Sequence, residues 1–297
     1  MGRMDGKVVI ITGAARGQGR SHALVLAREG AQIVATDICD QIPEVAYPMA
    51  SESDLNETAR LVEELDQRCV PVKGDARSSA DMRAVAERAI SEFGRIDVAV
   101  INHGIAVAGL WDETTDEMWA SNIETNLTGA WNAARSVIPQ MVEQGEGSII
   151  ITSSVSGLRP FFGLTSYVAS KHGVIGLVKG LAAELGPLSI RVNAICPTNV
   201  ATPMLHSQVI IDMFAGRPGG TKADMEFPAS AGNLLPIPWV EPEAISNGVL
   251  FLASDESKFV TGISLPVDAG MSQLPPGVPL IATRRIAELE AQLAAKS

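Results

Sequence analysis

The chain has 297 residues, 46% of them hydrophobic, enough for one large α/β domain with a substantial core. Its 34 acidic residues outnumber 23 Lys and Arg, for a formal net charge of −11, and this acidity excludes nucleic acid, whose phosphate backbone needs clustered positive charge. Cys39, Cys69 and Cys196 are widely spaced and form no C-x-x-C pair, which excludes a disulfide framework and a zinc site and leaves no metal site to propose.

Taken in chain order, apolar β-branched runs alternate with longer segments of helical period. The predicted strands are Val8 to Thr12, Ala31 to Thr36, Val70 to Lys73, Ile96 to Ile101, Ser148 to Thr152, Ile190 to Ile195 and Ile263 to Val267. The predicted helices are Gly17 to Glu29, Leu55 to Arg68, Ala80 to Phe93, Thr115 to Glu143, Ser166 to Leu185 and Pro242 to Ala253. Such alternation implies right-handed crossovers and a doubly wound, Rossmann-type parallel sheet of about seven strands, with helices on both faces. A single domain over residues 1–273 is expected, with 274–297 as a C-terminal extension in which Leu280 to Lys296 reads as an amphipathic helix. No apolar run approaches the ~18 residues of a membrane span. The start, Met-Gly-Arg-Met-Asp-Gly-Lys, lacks an export signal, so a cytoplasmic protein is expected.

Ligands in such folds bind at the carboxyl ends of the strands, where Gly13, Asp37, Asp75, Asn102, Ser154 and Pro197 all fall. The turn Gly13-x-x-x-Gly17-x-Gly19 joins the first strand to a helix, allowing a pyrophosphate to approach the backbone at the helix N-terminus. A structural turn would use the same glycines, but its place between strand and helix favours a nucleotide. Asp37, at the end of the second strand, suits a ribose diol and repels a 2′-phosphate, so NAD is preferred. Arg16 argues for NADP, since a basic residue in the turn suits that phosphate. Asp75 is read either as a contact to the adenine amino group or as a local cap.

Tyr167 and Lys171 stand at i and i+4, on one helical face. An ammonium beside a phenol favours the phenolate and brings its pKa down from about 10, making Tyr167 a proton carrier; Ser154 would hold the substrate oxygen within reach. An ordinary surface pair has the same spacing. The independent nucleotide turn decides for redox chemistry, because a proton carrier needs a hydride carrier beside it.

Thr12 to Gly19, Asn126, Ser154, Tyr167 and Lys171 resemble the motifs of the short-chain dehydrogenase/reductases over about residues 5 to 270. The resemblance implies catalysis by Ser154, Tyr167 and Lys171, with Lys171 also bonding the nicotinamide ribose and Asn126 holding a relay water. It implies cofactor contacts at Gly13, Arg16, Gly17, Gln18, Gly19, Asp37, Ile38, Asp75, Ala76, Asn102, Gly104, Tyr167, Lys171, Pro197, Val200 and Thr202. Val200 and Thr202 would take the carboxamide. Residues 13 to 22, Asp37-Ile38-Cys39 and the extra segment 40–56 resemble the carveol dehydrogenase-like subgroup, associated with mycofactocin as external electron acceptor and with tightly held NAD. A homotetramer is also implied.

Two departures stand out. Asn102-His103-Gly104 replaces the family's Asn-Ala-Gly, and Pro197-Thr198 replaces its Pro-Gly. His103 is read chiefly as a structural residue, with reach to a ribose or substrate group as the alternative, and Thr198 puts the local turn in question. The segment 40–56, with Tyr47 and Met49, reads either as a flap that folds over the adenosine end of the cofactor and slows its release or as a plain surface loop. Residues 203–240 read as a substrate lid, with Met204, Leu205, Met213, Phe214, Leu234, Leu235, Ile237 and Trp239 apolar, and with Phe161, Phe162 and Trp111 as further candidate wall residues. The expected substrate is an apolar, cyclic secondary alcohol or its ketone, such as carveol. Competing readings are an NADP-dependent ketone reductase and a non-catalytic NAD sensor.

Overall fold

A computed structural model describes residues 2–274, so the expected helix at 280–296 lies outside the described residues. Seven parallel strands, β1 (Val8–Thr12), β2 (Gln32–Asp37), β3 (Cys69–Lys73), β4 (Val98–Ile101), β5 (Gly147–Thr152), β6 (Ile190–Pro197) and β7 (Ser264–Val267), stand in the order β3-β2-β1-β4-β5-β6-β7. The doubly wound expectation holds. The order reverses between β1 and β4, the topological switch where a crevice opens beyond the strand ends.

The strands' side chains alternate between two cores. Val9, Ile11 and Ile33 pack with α1 (Gly17–Arg28) and α9 (Pro242–Ala253) on one face, while Ile10, Val34 and Ala99 pack with α3 (Ser79–Phe93), α5 (Gly129–Gln144) and α6 (Thr165–Leu185) on the other. Burial on both faces explains why the strands read as unbroken apolar runs.

Helix boundaries follow capping more than periodicity. α2 spans Glu52–Glu63, starting earlier than its apolar pattern, because Ser51 and Asp54 form a reciprocal capping box. Where the sequence predicts one helix from Thr115 to Glu143, the chain forms α4 (Asp116–Ile123), a π-helical turn (Glu124–Thr128) and α5. The segment 203–240, read from the sequence as a substrate lid with no helix assigned to it, contains α7 (Gln208–Ala215) and α8 (Lys222–Ala231), the latter capped by Thr221 and Asp224. Its base is laced to β6's exit. Ala201 N–H donates to the Val240 carbonyl and Val240 N–H to the Asn199 carbonyl, both at 2.9 Å.

Candidate active site

The strand ends bound two adjoining clefts. The first, of about 980 Å³, is lined by Gly13, Arg16, Gly17, Gln18, Asp37, Ile38, Asp75, Ala76, Asn102, Gly104 and Thr202. The second, of about 900 Å³, holds Ser154, Tyr167, Lys171, Pro197 and Val200. Gln18, Asn102, Gly104, Thr202 and Met204 line both, so the two spaces meet. Gly19 and Asn126 line neither cleft and lie behind their walls.

Gly19 shapes the turn by close approach, since a Cβ there would stand 2.0 Å from the Gly13 carbonyl oxygen. α1 begins without a side-chain cap, leaving its first amides for an anion in the cleft. Asp37 Oδ2 accepts from Ala15 N–H at 3.1 Å and Oδ1 from Cys39 N–H at 3.3 Å, and burial raises its pKa while these amides oppose the shift. Arg16 donates to the Pro48 carbonyl, which engages the guanidinium expected to speak for a 2′-phosphate. Asp75 lines the cleft, but its carboxylate is paired with Arg77 at 2.7 Å, which favours the local reading over an adenine contact.

Four buried side-chain polar atoms lack a partner among the described residues, and three of them, Gln18 Oε1, Thr36 Oγ1 and Thr125 Oγ1, belong to residues of the first cleft. Such atoms are costly to leave unpaired, so this wall suits a polar ligand. Thr36 and Thr125 were not singled out in the sequence, where a Thr near a strand end or within a helix carries no distinctive pattern.

The segment 40–56 closes over the first cleft. Its Ile42, Val45 and Tyr47 pack with Ile105 and Val107, and Met49 and Met204 flank the cluster. Gln41 Nε2 donates to the carbonyls of Ile42, Val45 and Tyr47, which shapes the loop. The buried Tyr47 hydroxyl accepts from Ala106 N–H at 3.3 Å, and Glu44 accepts from Ser121 at 2.7 Å. Tyr47 thus joins the insertion to the β4 exit.

In the second cleft, α6 presents Tyr167 and Lys171 one turn apart, with Lys171 Nζ 5.6 Å from the ring centroid. The ammonium donates to the Thr152 carbonyl at 2.9 Å. One expectation is corrected here. Burial raises the Tyr167 phenol above its ordinary value, and the opposing pull comes from Ser154 rather than Lys171. Burial also lowers Lys171 to about 8, because the same low-polarity wall disfavours both charged forms.

Asn126 sits in the π-turn, fully buried. Its Oδ1 accepts from Ile105 N–H at 2.9 Å, and its Nδ2 donates to the Ile105 carbonyl at 3.0 Å and to Ser170 Oγ at 3.1 Å. Gly104 lies against this group, and a Cβ there would stand 3.1 Å from Asn126 Oδ1 and 3.3 Å from Lys171 Nζ.

The apolar wall is narrower than expected. Met204, Leu205, Met213, Phe214 and Phe161 line the second cleft. Trp111 and Phe162 are each 86% exposed, Leu234 and Leu235 are exposed, and Ile237 and Trp239 line neither cleft. Trp239 instead stacks edge-on with His206 and lies under Lys222. Leu164 and Ile210, not anticipated, complete the wall. Thr198 keeps the turn in order by donating to Asn233 Oδ1 at 3.2 Å, and Asn233 donates on to the Ile237 carbonyl at 2.6 Å.

The family profile described as enoyl-(acyl carrier protein) reductase matches residues 13–272. The chain belongs to the short-chain dehydrogenase/reductase family. (−)-trans-Carveol dehydrogenase of Rhodococcus erythropolis is 41% identical over 274 residues, covering 91% of this chain and 99% of the relative. A Mycobacterium tuberculosis protein named as an uncharacterized NAD-dependent oxidoreductase is 42% identical over 271 residues, covering 91% and 97%. The crystal structure of carveol dehydrogenase from Mycobacterium avium in complex with NAD superposes with a TM-score of 0.90 at 44% identity, covering 92% of this chain and all of that one. Among the described residues of this family member, no helix is long and apolar enough to cross a membrane.

Proposed function

We propose that this short-chain dehydrogenase/reductase is an NAD-dependent oxidoreductase acting on an apolar, cyclic secondary alcohol of terpenoid size, such as carveol, or on its ketone. The observation that carries the reading is the joining of the two clefts, with Ser154, Tyr167 and Lys171 on the wall of the second. NAD is supported over NADP by the Asp37 carboxylate in the first cleft and by the engagement of Arg16 with Pro48. The relatives' names point the same way.

A bound nicotinamide would supply the hydride acceptor for alcohol oxidation and the hydride donor for ketone reduction. Ser154 and Tyr167 hold the substrate oxygen, and ionised Tyr167 takes its proton during alcohol oxidation. The Ser154 hydroxyl favours the phenolate against burial, and Lys171, one turn away on α6, links the proton to solvent with Asn126. Val200 and Thr202 would hold the carboxamide, and the amides of the Gly13–Gly19 turn the pyrophosphate. Met204, Leu205, Met213, Phe214 and Phe161 reward an apolar ring and exclude water.

Closure by the segment 40–56 supports NAD that is retained between turnovers and re-oxidised in place by an external acceptor such as mycofactocin. Exposed Trp119 on α4 and Trp131 on α5 offer apolar surface for a homotetramer. The test is turnover of carveol, followed at the reduced-nicotinamide band and with an artificial electron acceptor. Tyr167→Phe should lose about 10²- to 10⁴-fold in kcat with NAD affinity unchanged. Retained turnover in that variant refutes the assignment.

A further inference from the structure

We propose that His103, a departure from the family pattern, is a positioning residue for the Asn126 relay, holding the π-turn that carries Asn126 by a hydrogen bond to the Thr125 carbonyl. The inference rests on the oxidoreductase reading above for the role of Asn126.

Both imidazole nitrogens are engaged. Nε2 lies 3.1 Å from the Thr125 carbonyl oxygen and Nδ1 lies 2.7 Å from Thr12 Oγ1. A carbonyl only accepts, so Nε2 carries the proton and donates, and Nδ1 accepts from the Thr12 hydroxyl. Thr12 Oγ1 in turn accepts from the backbone N–H of Asn102 at 3.0 Å and of His103 at 3.2 Å. The ring therefore ties the end of β1 and the β4 exit to the π-turn. Burial keeps it neutral, with its pKa down at about 4, so this tautomer persists across the neutral range.

The π-turn explains why such a partner is needed. In an unbroken α-helix, Gly129 N–H would bond the Thr125 carbonyl four residues back. Here it bonds the Glu124 carbonyl instead, which removes Thr125's ordinary partner. His103 supplies a replacement donor. The space for it is made by the same glycine, because a Cβ on Gly129 would stand 2.8 Å from His103 Nε2. Asn126 is the next residue after Thr125, and its three bonds to Ile105 and Ser170 require the turn to stay in register. A bulky ring at 103, a π-turn at 124–128 and a bare glycine at 129 thus form one interlocking device.

The test compares His103→Leu, which keeps bulk and removes both bonds, with His103→Gln, which retains an N–H for Thr125. With carveol as the probe alcohol, His103→Leu should lose about ten- to a hundredfold in kcat, the scale of a misplaced catalytic group, with KM and NAD affinity within about twofold of wild type. His103→Gln should recover most of the loss, and the solvent deuterium isotope effect on kcat should grow in His103→Leu. Amide exchange in His103→Leu should quicken at residues 124–128. Gly129→Ala should slow wild type but add little to His103→Ala. Unchanged kcat and exchange in His103→Leu would overturn the proposal, as would NAD affinity falling in step with kcat. Should wild type fail to oxidise carveol, the substrate reading fails, and exchange at 124–128 still decides: quickening confined to the turn supports the positioning role, and no change refutes it.

Discussion

Removing the Tyr47 hydroxyl should speed NAD release without touching any residue assigned to catalysis. Tyr47→Phe leaves the Ala106 N–H, now buried, without its acceptor. That bond is long at 3.3 Å, so its loss falls at the low end of the range for an unsatisfied buried donor, about 1 kcal/mol. If the segment 40–56 must open before the cofactor leaves, the open state gains by that amount and release quickens about fivefold. Tyr47→Ala also removes an aromatic ring packed with Ile105 and Val107, a larger loss on the order of 3 kcal/mol, equivalent to roughly a hundredfold. The assay loads the protein with NAD, adds an excess of a NAD-consuming trap, and follows the fraction still bound over time. The graded order wild type, Tyr47→Phe, Tyr47→Ala is the expected result. Equal release rates in all three would show that the cofactor leaves past a different edge, and the gating argument would be lost.

Other consequences are as direct. Asp37→Ser should raise the preference for NADP over NAD by about tenfold or more, because a buried carboxylate no longer repels a 2′-phosphate; an unaltered ratio of kcat/KM values for the two cofactors contradicts this. Alcohol oxidation needs Lys171 charged and Tyr167 ionised, so its pH profile should be bell-shaped with the maximum alkaline of about 8, whereas ketone reduction should favour lower pH. An oxidation maximum below neutrality argues against this pair. His22 is fully buried between Ser246 and Asn102, and burial lowers its pKa from 6.5 to about 4. The unfolded chain then binds a proton that the folded chain refuses, so stability present above 6.5 is lost as pH falls towards about 4, by up to about 3 kcal/mol. Thermal unfolding of His22→Gln should show a shallower acid decline than wild type, and parallel curves would exclude the mechanism.

The sequence alone determined the layered fold, because strands buried on both faces must be continuously apolar and helices between them must be amphipathic. It also placed the strand-end residues Gly13, Asp37, Asn102 and Ser154, since strand ends follow from the punctuation of apolar runs, and the Tyr167–Lys171 pair, since helical spacing is local. Tertiary structure decided what these groups meet. Arg16 turned from a phosphate reader into an anchor for Pro48, 32 residues away, whereas the pairing of Asp75 with Arg77, two residues on, is local and agrees with the cap reading the sequence already offered. The sign of the Tyr167 shift was equally hidden: spacing reveals a neighbouring charge, whereas desolvation depends on walls contributed by distant segments. The wall residues Leu164 and Ile210, the exposure of Trp111 and Phe162, and the lock of His103 against Gly129 all depend on which surfaces face one another. That is fixed by packing between remote segments, which no local pattern records.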